Sequence, residues 1–258
     1  MKYVRLGSLA LGAMMAVAML TVPAKAGPII SNWAVTGLCS GGEACGASAT
    51  VTETYDTNGT ATFEIALTDT EANPKSAGDL LSGFTFSLND TYSSSVKVSP
   101  QSETLITVKS ATGPYTEKSA APTHWGVGIT TKDCSGASSC IGLETAGSLA
   151  KPHQPIDMII GLPDSHGNYS NANSSITDGH FSPYILGTGI FFVNVSGLPH
   201  NLTLPPEISG VQFAFGTSPD SYLIGRRVPE PSSLPVLLMG LGFIGGALYF
   251  GRKKAIAA

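Results

Sequence analysis

Apolar residues alternate with polar ones through most of the chain, at the two-residue period of a pleated strand and not the 3.6-residue period of a helix. Residues 60–68 show this best, with Phe63, Ile65 and Leu67 on one face and Thr62, Glu64, Ala66 and Thr68 on the other. The preceding Asp56-Thr57-Asn58-Gly59 supplies residue types that tolerate positive φ, so 49–55 and 60–68 are expected to form a hairpin. Further strands are predicted over 83–88, 95–99, 105–108, 124–130, 190–195 and 210–216, with Phe84, Phe86, Leu88, Val211, Phe213 and Phe215 facing a core. Residues 156–161 are continuously apolar and read as a buried strand. Only 71–81 offers a helical stretch, and Pro74 and Gly78 weaken it. Short strands between turn signals predict an all-β, β-sandwich-like body.

Both ends of the chain break the alternation. Lys2 and Arg5 precede an apolar stretch over 6–22, and Ala24-Lys25-Ala26 offers small residues at the alternating positions a signal peptidase accepts. A signal peptide over 1–26, helical in its apolar part and cleaved after Ala26, is therefore expected. At the other end stand Val228, Pro229, Glu230 and Pro231, then an uncharged apolar run over 234–250, then Arg252, Lys253 and Lys254. The two prolines lack backbone donors and fix their own φ, which holds the box extended. Seventeen apolar residues at 1.5 Å per residue make a single transmembrane helix of about 25 Å, and the cations stop it. This tripartite end resembles the PEP-CTERM sorting signal of exported Gram-negative bacterial proteins. The resemblance implies an exosortase, a membrane-embedded cysteine transpeptidase, as the processing partner. It further implies transient residence in the inner membrane, then release to the cell surface or extracellular matrix. Proteins of this kind accompany bacteria that make extracellular polysaccharide, so a structural role in a biofilm matrix is expected, with exopolysaccharide as a further partner.

Removing the two ends leaves an extracellular domain over 27–225, ahead of a sorting region over 226–258. The domain carries six Lys, no Arg and seventeen Asp or Glu, a net charge of −11 against −4 for the whole chain. Such a surface repels phosphate backbones, which argues against nucleic-acid binding. Cys39, Cys45, Cys134 and Cys140 form two C-S-G-x-x-x-C segments. In an exported chain these predict local disulfides, Cys39 with Cys45 and Cys134 with Cys140, in preference to a zinc site, whose paired ligands usually stand two to four residues apart. Trp33 and Trp125 are expected in the core.

No nucleophile elbow, zincin helix, phosphate loop or dinucleotide fingerprint occurs, so no enzyme, cofactor or metal centre is expected. The long polar segment 163–183 holds two Asp-x-His elements, Asp164 with His166 and Asp178 with His180, together with Tyr169 and Phe181 as aromatic surfaces for a sugar. A secreted carbohydrate-binding or carbohydrate-active protein using the same export route is the alternative function. Clustered carboxylates or an aromatic-lined groove would favour it.

Overall fold

The computed structural model describes residues 28–56, 58–89, 95–112, 114–131, 134–150, 155–200, 206–218 and 221–229. The expected signal peptide with Ala24 and Ala26, the box residues Glu230 and Pro231, the apolar run 234–250 and the basic cluster Arg252, Lys253 and Lys254 lie outside the described residues. Among the described residues no helix is long and apolar enough to cross a membrane.

The body is all-β. Its strands are β1 (Ile29–Leu38), β2 (Ala44–Asp56), β3 (Thr60–Asp69), β4 (Leu81–Leu88), β5 (Val96–Pro100), β6 (Glu103–Thr107), β7 (Thr116–Ala120) and β8 (Gly126–Thr130). They continue with β9 (Cys140–Glu144), β10 (Ile159–Ile160), β11 (Tyr184–Leu186), β12 (Thr188–Ser196), β13 (Ile208–Phe215), β14 (Ser221–Ile224) and β15 (Arg226–Val228). One sheet runs β15-β1-β2-β3-β12-β5. The other runs β14-β13-β4-β10-β11-β6-β7, with β9 paired to β4 and β8 paired to β9. Only β10 and β11 pair in parallel; the other described pairs are antiparallel.

The hairpin expected from the alternation is β2–β3, joined at a turn where Asp56 Oδ1 accepts from the backbone N–H of Asn58 (2.9 Å) and Thr60 (3.1 Å) and Gly59 takes φ +77°. Phe63, Ile65 and Leu67 of β3 are fully buried, and so are Phe191 and Val193 of β12 beside it. They share one apolar cluster with Phe84, Phe86, Leu143, Phe213 and Phe215 of the other sheet. Each such ring contributes roughly 2–3 kcal/mol by leaving water. Trp33 and Trp125 belong to the same cluster, and Trp125 lies 4.6 Å from the Phe191 ring.

β4 departs from the expected alternation, because all eight of its residues are buried. It has β13 along one edge and β9 and β10 along the other. Its polar side chains Ser82, Thr85 and Ser87 reach Ala214 O, Gln212 Oε1 and Ser139 O. The stretch 71–81 forms no α-helix, only a 3₁₀ turn over Ala77–Asp79. Ser76 and Asp79 cap each other there, and the buried Asp69 accepts from the backbone N–H of Glu71 (3.0 Å) and Leu81 (3.3 Å).

The cysteines are joined as Cys39–Cys45 and Cys134–Cys140, with Cα separations of 5.7 and 5.4 Å. Each closes a short loop, so its entropic contribution is small. Replacing Cys134 and Cys140 together by serine is expected to cost about 2 kcal/mol. Comparing thermal unfolding of the oxidised protein with that of the double variant checks this, and an unchanged midpoint would contradict it.

Candidate sorting site and the polar clusters of the body

At Gly225 the chain leaves β14 of one sheet and enters β15 of the other. Its N–H donates to Val211 O at 2.8 Å. A Cβ here would lie 2.8 Å from Val211 Cγ1 and 2.9 Å from the Phe213 ring, so the crossing has room only for glycine. β15 then pairs antiparallel with β1, Arg226 opposite Ala34, Arg227 opposite Trp33 and Val228 opposite Asn32. Arg226 and Arg227, assigned from the sequence to the sorting region, are thus the last strand of the body's own sheet. Val228 closes that strand and Pro229 follows it; both are exposed. A proline just past an edge strand sacrifices no ladder bond. An open groove of about 540 Å³ runs beside them, lined in part by Val35, Leu223, Ile224, Val228 and Pro229. The first two residues of the box thus stand exposed directly on the folded body.

A family model for the PEP-CTERM protein-sorting motif matches residues 227–254. The chain carries a PEP-CTERM sorting motif. The matched span starts on β15 at Arg227 and takes in the Val-Pro-Glu-Pro box, the apolar run and the basic cluster. A PEP-CTERM motif implies an exported protein that exosortase sorts to the surface or the extracellular space. Neither a curated protein nor a solved structure matches the chain.

In the body of this PEP-CTERM protein, the segment 163–183 is largely exposed but is pinned to the core at Tyr169 and Ile176. Tyr169, expected as a sugar platform, is 1% exposed; it donates to Gly161 O at 2.9 Å and meets the Tyr115 ring edge-on. It joins Leu80, Ile106, Met158, Ile176 and Tyr184 in a second apolar cluster, against which Phe181 also packs. Ile176 belongs to the short helix α1 (Ser174–Thr177), capped by Asn173. The Asp-x-His elements turn out to be local turns. Asp164 accepts from the N–H of His166 and Asn168 and from the Ser170 hydroxyl, and Asp178 accepts from the N–H of His180. These bonds hold the Asp164 carboxyl below its usual range, the Ser170 hydroxyl contributing most. Among the described residues no group of three His, Cys, Asp or Glu side chains is arranged to hold a metal.

A polar contact that sequence spacing could not show is His124 with Asp157. Asp157 Oδ2 accepts from His124 Nδ1 (2.8 Å), from the N–H of Thr123 (2.8 Å) and from the N–H of His124 (3.2 Å). The Thr123 hydroxyl lies near that same ring nitrogen, at 3.3 Å. A nucleophile relay needs the hydroxyl and the carboxylate on opposite nitrogens of the ring. With both on Nδ1, the group is a clamp between segments. Elsewhere in the body burial raises the carboxyls of Asp69, Glu53 and Glu103. Asp69 goes well above its ordinary range even though two backbone N–H groups favour its ionised form, and Glu53 is pushed up to about 8.

Proposed function

We propose that this protein is a structural component of the cell surface or of a polysaccharide-rich biofilm matrix, with the body as cargo and the PEP-CTERM end as a removable address. On this reading the two sheets pack as a β-sandwich and exosortase hands the body on once the apolar tail is gone. The observation that carries the proposal is the placement of the box: its first residue is an edge-strand residue of the body's sheet, and the second is exposed just beyond it. Processing next to Pro229 would therefore release the fold with almost no trailing peptide. Two disulfides and a charge of −11 over residues 27–225 suit a cargo kept soluble and intact outside the cell. The test is the intact mass of the protein recovered from the matrix fraction of cells that carry exosortase. A chain ending at the box is expected, and a mass that retains 234–250 would refute release.

One observation favours the alternative of carbohydrate binding. A polar groove of about 510 Å³ is lined by Glu43, Glu71, Asn73, Lys75, Asp79, Ser170 and Asn171. Three carboxylates and several amide or hydroxyl groups can hydrogen-bond sugar hydroxyls. Among the described residues no aromatic lines that groove, and the Asp79 carboxylate is already committed to the Ser76 cap, so the structural role is preferred. Binding of the purified protein to a glycan array, lost on Glu43→Ala with Glu71→Ala, would reverse the preference.

A further inference from the structure

We infer that the outward face of β1, β2, β3 and β12 is a docking surface for a neutral, hydroxyl-rich glycan chain several sugars long, gripped by two Thr–Asn pairs. The inference rests on the matrix reading above for the presence of such a polymer, and its test is arranged so that the two fail separately.

Residues directly opposite each other in a ladder share a face of the sheet. On β2 and β3 the core takes Ala49, Val51, Phe63 and Ile65, which turns Thr50, Thr52, Thr62 and Glu64 outward. Asn32 lies across from Thr50 and Asn194 across from Thr62, so both asparagines stand on that same face. Along β3 and β12, and on β2 from Ser48 onward, none of the outward residues is buried.

One contact is built there twice. Thr50 donates through Oγ1 to Asn32 Oδ1 at 2.9 Å, and Thr62 donates in the same way to Asn194 Oδ1 at 2.8 Å. Each bond fixes a side-chain amide against the neighbouring strand. It uses the hydroxyl proton, and it leaves the two N–H donors of the asparagine and the lone pairs of the threonine oxygen facing outward together. Neighbouring hydroxyls on a sugar ring are the matching pattern, one accepting from the amide while the next donates to the threonine. The pairs are ordered on folding, so binding costs less side-chain entropy.

Register sets the length of the occupant. Thr50 and Thr54 stand four residues apart on β2, and Thr54 is opposite Thr62. At about 3.4 Å per residue and about 4.8 Å per strand, the two pairs are roughly 17 Å apart. A single ring cannot touch both, whereas an oligosaccharide can. Thr52 and Glu64, opposite each other, fill the gap, and Phe192, opposite Glu64 on β12, offers a partly exposed ring to the apolar face of a sugar.

Charge selects a neutral polymer. The charged side chains on this face of the sheet, among the described residues, are Asp56, Glu64, Lys97 and Arg226, which cancel. They belong to a body whose residues 27–225 sum to −11, so an acidic polymer meets repulsion from all around the face and no compensation on it. A face kept only for water commonly mixes many charges of both signs, whereas Thr, Ser and Asn predominate here.

The full-length chain, in a detergent without a sugar head group, is run in native gels that contain soluble β-glucan, galactomannan, dextran or alginate. Retardation by a neutral polymer, unchanged at high salt, is expected. Oligosaccharides of that polymer should compete, and its monosaccharide should not. Thr50→Val with Thr62→Val keeps the shape and the strand preference and should weaken binding about tenfold or more. Asn32→Ala with Asn194→Ala should do the same, while Glu43→Ala with Glu71→Ala, in the polar groove, should change nothing. No retardation by any neutral polymer would overturn the inference, as would undiminished binding in both face variants, or binding to alginate alone that salt abolishes. Self-association lost in the face variants would make a second copy the occupant and overturn it too. Recovery from the matrix fraction of cells is measured separately. A protein that stays in the matrix without binding glycan refutes the docking face alone, and one that binds glycan but is missing from the matrix refutes the matrix reading alone.

Discussion

Replacing Pro229 and Pro231 together by alanine is expected to stop maturation while leaving the body intact. Each proline removes backbone freedom from the unbound box, worth about 0.4–1 kcal/mol per site, so the pair pre-organises recognition by about tenfold. Pro229 is exposed and lies past the last ladder pair, Asn32 with Val228, so β15 has no reason to change. Unprocessed chain should accumulate in the membrane fraction, with the thermal midpoint of the body unchanged. Normal amounts of shortened product by mass would rule out the box as the element that is read.

The largest loss of stability is expected at Asp157. This residue is 2% exposed and sits at φ 62°, a region that costs a non-glycine residue free energy. Its carboxylate takes the N–H of Thr123, the N–H of His124 and His124 Nδ1, its own N–H donates to Pro183 O, and its carbonyl takes Trp125 Nε1 at 2.8 Å. It thereby ties the approach to β8 to the approach to β10. Asp157→Ala strands three donors, each costing about 1–3 kcal/mol, for a sum of about 4 kcal/mol. In a domain of this size that lowers the thermal midpoint by roughly 8–16 °C. Asp157→Asn, which still accepts through one oxygen, should lose about half as much. A midpoint for Asp157→Ala within 2 °C of wild type would show that solvent or neighbours replace the carboxylate.

Much of this was legible in the sequence where a local signal and the final environment agree. The β2–β3 hairpin was readable because its apolar face and its Asn-Gly turn point to the same register. The sorting box was legible as a linear motif. Its seat was not: β15 pairs with β1 nearly two hundred residues away, and no local pattern encodes such a pairing. β7, all of whose residues are polar or alanine, is an edge strand that buries none of them, so alternation had nothing to report. The segment 163–183 misled because its few apolar residues, Tyr169 and Ile176 among them, are diluted by Asn and Ser; burial there comes from the second cluster and not from a periodic face. Glu53 did leave a trace, as an acid in line with Ala47, Ala49 and Val51 on the core-facing register of β2.

The antiparallel meeting of β1 and β15 also decides how the molecule bears mechanical load. Tension applied to the chain beyond Pro229 would enter at Val228 and meet a ladder only three residue pairs long. Pulled away from the sheet, those pairs separate one after another, as a zipper does, until strain reaches the crossing at Gly225, where the chain is wedged against Val211 and Phe213. Tension of that kind would therefore load this three-pair ladder ahead of the longer β1–β2 and β2–β3 ladders behind it.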